Sequence, residues 1–265
     1  FLHFSEQKGF FEYVDLKGYS LNHVLHLKTY FRKHLYGRKF SAPLELEKYC
    51  ALKEKGKRHV VKTARVYLNY LEKHGLLSKE TLDAYRRFLK VESGRVDVHV
   101  PTDLDVLRSY KGLTGDVQLV FLVLARSGIR YIECLELLKG LSEAKFSRYE
   151  GFVACPVGHK RGNKNINTVY LPLFVYEQLR VVAKKYNQLR MEFTRSGCLF
   201  SPKYLRKWQY NFLLYNGVPE SVADFIQGRV SKSVAANHYL AKSQQANYWY
   251  ERIAPKLKEF FTKTS

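Results

Sequence analysis

Residues 116–128, DVQLVFLVLARSG, put apolar side chains on nearly every side of a helix, and a helix without a polar stripe must be surrounded by other elements. The run is too short to cross a bilayer, and no other segment is long and apolar enough to do so. No signal peptide opens the chain. The second half is therefore expected to be a globular body built around this helix. With 265 residues, 46% of them hydrophobic, the chain has material for that core and for a second body. It begins at Phe1 rather than Met, which reads as a fragment or a processed product.

The expected second body lies upstream. Residues 20–35, about 42–54, 59–75 and 78–91 carry apolar residues at helical spacing, as in Val60, Val61, Ala64, Tyr67, Leu68 and Leu71. Ser78 has the position of an N-cap, with Glu80 and Asp83 near the positive end of its helix. The pattern stops over 91–101, VESGRVDVHVP, which reads as a linker. This places a helical domain over 1–95 and a second domain over 96–265. In the latter, 132–140 reads as a helix and 145–172 as β-prone runs around a turn at Gly158–Asn165. Helices are expected again at about 174–187, 202–216, 219–227 and 233–243, and within 247–262. The fold class is mainly α with a small antiparallel β-sheet (α+β).

Charge narrows the partner. The formal net charge is +21, with 20 Lys and Arg against 10 Asp and Glu in residues 1–95 and 25 against 14 in 96–265. Such an excess repels itself unless a polyanion offsets it, and nucleic acid fits better than an anionic membrane surface. Two basic bodies suit a clamp closing on a duplex. Four widely spaced cysteines (Cys50, Cys134, Cys155, Cys198) show no metal-ligand spacing and read as reduced thiols. Asp103 and Asp105 form a possible acidic pair for a metal-dependent nuclease, but no second carboxylate cluster accompanies them.

Four cationic segments remain: SGIRYIECLEL (127–137), VGHKRGNKN (157–165), PKYLRKWQYNFLLYNG (202–217) and IQGRVSKSVAANHYL (226–240). Taken singly, each residue has a bland reading. Arg130 is a surface arginine, Glu133 its helical i,i+3 partner, Lys160 or Lys164 a solvated turn lysine, and Tyr239 one of 20 tyrosines with Tyr248 and Tyr250 as neighbours. Lys203 and Arg206 sit near a helix start, where cations oppose the helix dipole, which argues for a role beyond stability. Two arginine forks suit a five-coordinate phosphorane, because each binds two oxygens and keeps its proton. A lysine among other cations releases its proton more readily, and cations near a tyrosine favour its phenolate.

In order and spacing the segments resemble the tyrosine recombinase (phage integrase) family from about residue 100 onward, with a looser match upstream to its helical core-binding domain. The resemblance implies a two-domain DNA clamp with Tyr239 as nucleophile. Arg130, Arg206 and Arg229 would be phosphate ligands, Glu133 the residue orienting Arg130, and Lys160 (alternatively Lys164) the β-turn lysine. Lys203 stands where the family usually has His, and Arg229 where it has His or Trp. Both departures resemble integrases of archaeal spindle-shaped viruses and related plasmids, and they leave open which group takes the tyrosine proton.

The resemblance further implies a 3′-phosphotyrosyl intermediate, with no metal, nucleotide or other cofactor, in the integration of a viral or plasmid genome. The expected partner is a double-stranded DNA attachment site, bound as a homotetramer on two sites, with a monomer or weak oligomer before DNA is met. No membrane partner is implied, and the expected location is intracellular, on host DNA. The tail stripe Tyr250, Ile253, Leu257, Phe260 could dock on a neighbouring protomer or pack within its own chain. The alternatives are a type IB topoisomerase-like strand transferase and a catalytically inactive DNA-binding relative.

Overall fold

The structure, a computed structural model, describes residues 1–53, 56–91, 97–161, 164–229 and 236–262, excepting the side chains of 158–161, 164–167 and 236–240. Contacts divide the chain into two units, Phe1–Val96 and Asp97–Ser265. Each has its own apolar core. The architecture is mainly helical with small antiparallel sheets, as the sequence predicts.

In the first unit, β1 (Leu2–His3) pairs antiparallel with β2 (Lys39–Phe40). Around them lie α1 (Gln7–Asp15), α2 (Leu21–Tyr30), a π-helical turn at Phe31–Leu35, α3 (Pro43–Ala51), α4 (Lys57–Lys73) and α5 (Lys79–Phe88). Periodicity fixes the packing of α4, which buries Val60, Val61, Ala64, Tyr67, Leu68 and Leu71. Each such aliphatic side chain contributes about 1.5–3 kcal/mol when removed from water. The centre is aromatic: Phe10 lies 4.7 Å from Phe31 and 5.2 Å from Tyr67. Ser78 caps α5 by accepting the Thr81 N–H at 3.4 Å.

The second unit begins with α6 (Asp103–Lys111), α7 (Gly115–Ser127) and α8 (Tyr131–Lys139). The all-apolar run is α7, buried from Leu119 through Ser127. It is followed by β3 (Ser147–Arg148), β4 (Phe152–Arg161) and β5 (Lys164–Pro172), in the order β3-β4-β5. Then come α9 (Leu173–Tyr176), α10 (Tyr186–Arg195), a 3-10 turn at Pro202–Tyr204, α11 (Leu205–Tyr215), α12 (Glu220–Ile226) and α13 (Ala236–Thr262).

Several expectations need correction. Most of Gly158–Asn165 is not a turn: β4 and β5 continue through it, His159 pairing with Ile166 and Arg161 with Lys164 after an irregularity between Pro156 and His159. The helix expected at 174–187 stops after Tyr176. There Val182 donates its N–H to the Leu138 carbonyl, and Lys184 bridges Asp116 and Glu192, so tertiary partners outweigh helical spacing.

The two helices expected after 233 are one helix. α13 runs through Pro255, where a proline costs a helix interior about 3 kcal/mol, because the burial of Tyr250, Ile253, Ala254 and Leu257 offsets that cost. That stripe therefore lies in the core of its own chain. Phe260 packs at a tilt against Trp208, with ring centroids 5.0 Å apart, so truncation at residue 245 would open the core rather than simply weaken assembly. The possible metal pair also has other employment. Asp103 accepts the Trp208 indole N–H at 2.7 Å, and Asp105 closes a capping box with Thr102. Among the described residues, no group of three or more His, Cys, Asp or Glu is placed to hold a metal.

Candidate active site

The centre of the site is the turn between α7 and α8. Gly128 ends α7 in the left-handed conformation (φ 63°), which glycine adopts without strain. Two residues later, Arg130 is the N-cap of α8. Glu133 reaches back, its Oε2 accepting the Arg130 backbone N–H at 2.9 Å and its Oε1 the guanidinium at 2.7 Å. One nearly buried carboxylate thus fixes both the backbone and the side chain of Arg130.

Arg206, in the first turn of α11, donates from Nη1 to the Gly128 carbonyl at 2.7 Å. A second tie runs beneath. Gln227 donates to the Arg206 carbonyl at 2.8 Å and to Gln209 Oε1, while Gln209 donates to the Arg126 carbonyl at 3.3 Å. Both glutamines are fully buried, where an unpaired amide group costs free energy; among the described residues Gln227 Oε1 alone of their amide atoms finds no partner. They join the end of α7, α11 and the end of α12. They also explain Gly128 a second time: a Cβ there would collide with the Gln209 amide and come within 2.6 Å of Gln227 Nε2.

Gln227 leads through Gly228 (φ 62°) to Arg229, whose N–H returns to the Asp224 carbonyl at 2.8 Å. The exposed Arg229 guanidinium lies over the Tyr210 ring, 4.2 Å from its centroid. Burial pushes the Arg206 guanidinium down to about 9, and Arg130 and then Arg229 add to that shift, with Glu133 and Asp224 opposing it. Arg130 and Arg229, from segments far apart in sequence, therefore both disfavour the charge on Arg206. A half-buried cation destabilised by two others is a place where an incoming anion gains most.

The remaining predicted site residues stand as follows. Lys203 is on the 3-10 turn before α11, but its Nζ pairs with Asp97 Oδ2 at 3.3 Å and lies over the Tyr204 ring at 4.5 Å. Its described contacts are with these residues and not with the arginines. Asp97 also pairs with Lys207 at 3.4 Å, and hydrogen bonds from Tyr204 and then Lys203 hold its carboxyl at about 2. Lys160 is on β4, opposite Asn165, and Lys164 begins β5. Tyr239 is in the first turn of α13. The side chains of Lys160, Lys164 and Tyr239 lie outside the described ones.

Sequence reasoning missed Gly128, Gln209, Gln227 and Asp97. The glutamines carried a faint signal, as polar residues at otherwise apolar helical positions.

The fold matches that of lambda integrase. A lambda integrase(75-356) dimer bound to a COC′ core site superposes with a TM-score of 0.62 at 13% identity, covering 86% of this chain and 94% of that one. A lambda integrase tetramer bound to a Holliday junction gives 0.61 at 12%, covering 86% and 77%. No curated protein matches the chain in sequence. The class, tyrosine site-specific recombinase, follows from a match to a family model. The archaeal phage integrase family matches residues 98–256, more than half of the chain, and the chain belongs to that family.

Proposed function

We propose that this enzyme cuts and rejoins duplex DNA at attachment sites, using Tyr239 as nucleophile and Arg130, Arg206 and Arg229 as ligands of the scissile phosphate. The anchoring of Arg206 on the Gly128 carbonyl, two residues before Arg130, with both Arg130 and Arg229 disfavouring its charge, supports this reading. As the phenolic oxygen attacks phosphorus, negative charge grows on the nonbridging oxygens, and preorganised guanidinium forks stabilise it without reorganising. The bond to the 5′-oxygen breaks, and Lys160 supplies the proton that oxygen needs, leaving a 3′-phosphotyrosyl link and a free 5′-hydroxyl. The link retains the energy of the broken bond, so a second DNA end is joined by the reverse reaction without ATP. Glu133 holds Arg130 in place. Lys203 adds positive charge once freed from Asp97.

The arginines supply charge compensation that other phosphoryl-transfer enzymes take from metal ions, so the reaction proceeds in EDTA. The first unit grips one face of the duplex and the second unit the other. The lambda integrase structures on a core site and on a Holliday junction support DNA as substrate and an assembly of several protomers; we assign a tetramer on two sites. The family described as archaeal phage integrase supports a viral or plasmid genome as the DNA that is joined.

Two DNA molecules carrying the attachment site, incubated with the enzyme in EDTA and without nucleotide, test this. Joint molecules are expected. Relaxation of supercoils without joining would indicate a topoisomerase-like strand transferase, and binding without either would indicate an inactive relative.

A further inference from the structure

The first unit carries a surface whose chemistry the strand-transfer reading leaves unused. Rings from α2, the π-helical turn and α4 form a ladder: His26 on α2 lies 5.6 Å from His59 on α4 at an interplanar angle of 23°, and Tyr30 lies 5.0 Å from His59 at 30°. His34, on the π-helical turn, continues it 5.5 Å from Tyr30. At the other end Tyr19 meets His23 edge-on at 4.9 Å. His23, His26 and His59 are exposed, while Tyr30 and His34 are half-buried. Thr29, Tyr30, Lys33, His34 and Gly56 line a cleft of ≈ 280 Å³ beside the ladder. The positive φ of Gly56 (88°) and its lack of a Cβ, which would come within 2.9 Å of Tyr30 Cε1, let the ring close against the start of α4.

Among the described residues, cations face these rings from several elements. Lys62 and Arg58 come from α4, Lys33 from the π-helical turn, Arg38 from the segment before β2, and Lys53 from the segment after α3. The charges that act most on His23, His34 and His59 among the described residues are Lys, Arg or His. The α2 cation that does find an acid is Lys28, paired with Asp15 at 2.7 Å. Burial first, and then these cations, lower the pKa of His23, His34 and His59, which favours the neutral rings in the free protein.

We propose that this histidine–tyrosine ladder binds the phosphate backbone of duplex DNA, and that His23, His34 and His59 take up protons as the duplex docks. The inference rests on the reading that the enzyme acts on duplex DNA. It adds which face of the first unit makes the contact and how that contact is tuned. A phosphate beside the ladder replaces a repelling neighbour with an attracting one and favours each imidazolium. Each imidazolium in turn displaces a counterion from the duplex, so protonation and salt release reinforce each other. The tyrosine and imidazole faces add contact area next to the sugar–phosphate chain. The sign follows from linkage: the bound histidines have the higher pKa, so affinity rises as pH falls from above neutrality towards the lowered range of the free rings.

The test measures affinity of the full chain for a short fluorescent duplex of arbitrary sequence, at fixed ionic strength, across about pH 8 to 5. It compares the wild type with His23→Gln/His59→Gln, two exposed positions where folding is checked at each pH by circular dichroism. The wild type is expected to bind on the order of 10-fold or more tightly at the acid end than at the alkaline end, and the double variant to lose most of that ratio. A variant that keeps the full pH dependence, or a wild type that binds equally at every pH, overturns the ladder's role and leaves the reading of DNA as substrate standing. No binding at any pH removes that underlying reading and the ladder's role with it.

Discussion

Arg206 donates a 2.7 Å hydrogen bond to the carbonyl of Gly128, two residues before Arg130, so one backbone turn sets the positions of two arginines far apart in sequence. Replacing Arg206 by Lys keeps a charge but loses the planar fork and its second donor. The expected cost is about 10²–10³ in the cleavage rate, with a stability loss of about 1–3 kcal/mol because the Gly128 carbonyl becomes harder to satisfy. Single-turnover cleavage and urea melts of Arg206→Lys check both.

Gly128→Ala places a side chain in the left-handed region and drives its Cβ into two buried amides. Stability is expected to fall by about 2–4 kcal/mol, the sum of the backbone strain and overpacking. Cleavage should fall further than stability explains, because the same turn carries Arg130. Urea melts paired with cleavage at a temperature where the variant is still folded separate the two losses.

Inorganic phosphate should occupy the arginine cluster of the DNA-free enzyme. At ten times its Kd it stabilises the fold by about 1.4 kcal/mol, and Arg206→Ala or Arg130→Ala should abolish most of that gain. Thermal melts with and without phosphate give the answer. An equal rise in both variants would put the anion elsewhere.

Asp97 ties the start of the second unit to Lys203 and Lys207. Its carboxyl is held at about 2, below the ordinary aspartate range, so the tie is complete above that range and fades as pH falls towards about 2. An NMR titration of Asp97 should show this low midpoint, and Lys203→Ala should raise it. A midpoint in the ordinary range would show that the lysine is not held there.

Arg126 offers a prediction of the opposite sign. Its side chain is fully buried over the Phe261 ring, 3.6 Å from the centroid, and its Nε and Nη1 find no hydrogen-bond partner among the described residues. Burial pushes the guanidinium down to about 9. Replacing a poorly compensated buried charge by a flexible apolar side chain is commonly neutral or stabilising, so Arg126→Met should raise stability by about 0–4 kcal/mol. A loss in urea melts would show that the charge has a partner in solution.

How much of this was legible beforehand depends on where the causes lie. The buried α7, the amphipathic α4 and the Ser78 cap follow from local patterns, and the sequence alone predicts all three. The pairing of Arg130 with Glu133 is also local, a first-turn capping contact. The placement of Arg206 against Gly128, and the glutamines beneath, depend on contacts between segments about 80 residues apart, so residue type could suggest the arginine but not its anchor. The same limit explains α13, where distant packing carries a helix through Pro255. It also explains Lys203, whose pairing with Asp97 spans 106 residues. The resemblance to the integrase family supplied candidate residues; the structure supplies the turn that anchors Arg130 and Arg206.

The central claim is that the converging arginines serve a single phosphorus attacked by Tyr239. A nicked substrate that traps the cleaved strand, resolved on a denaturing gel after incubation with the enzyme, measures this most directly. A covalent protein–DNA band should form with the wild type, vanish in Tyr239→Phe, and be strongly reduced in Arg130→Ala, Arg206→Ala and Arg229→Ala. A band of undiminished intensity in Tyr239→Phe would place the nucleophile elsewhere and contradict the account.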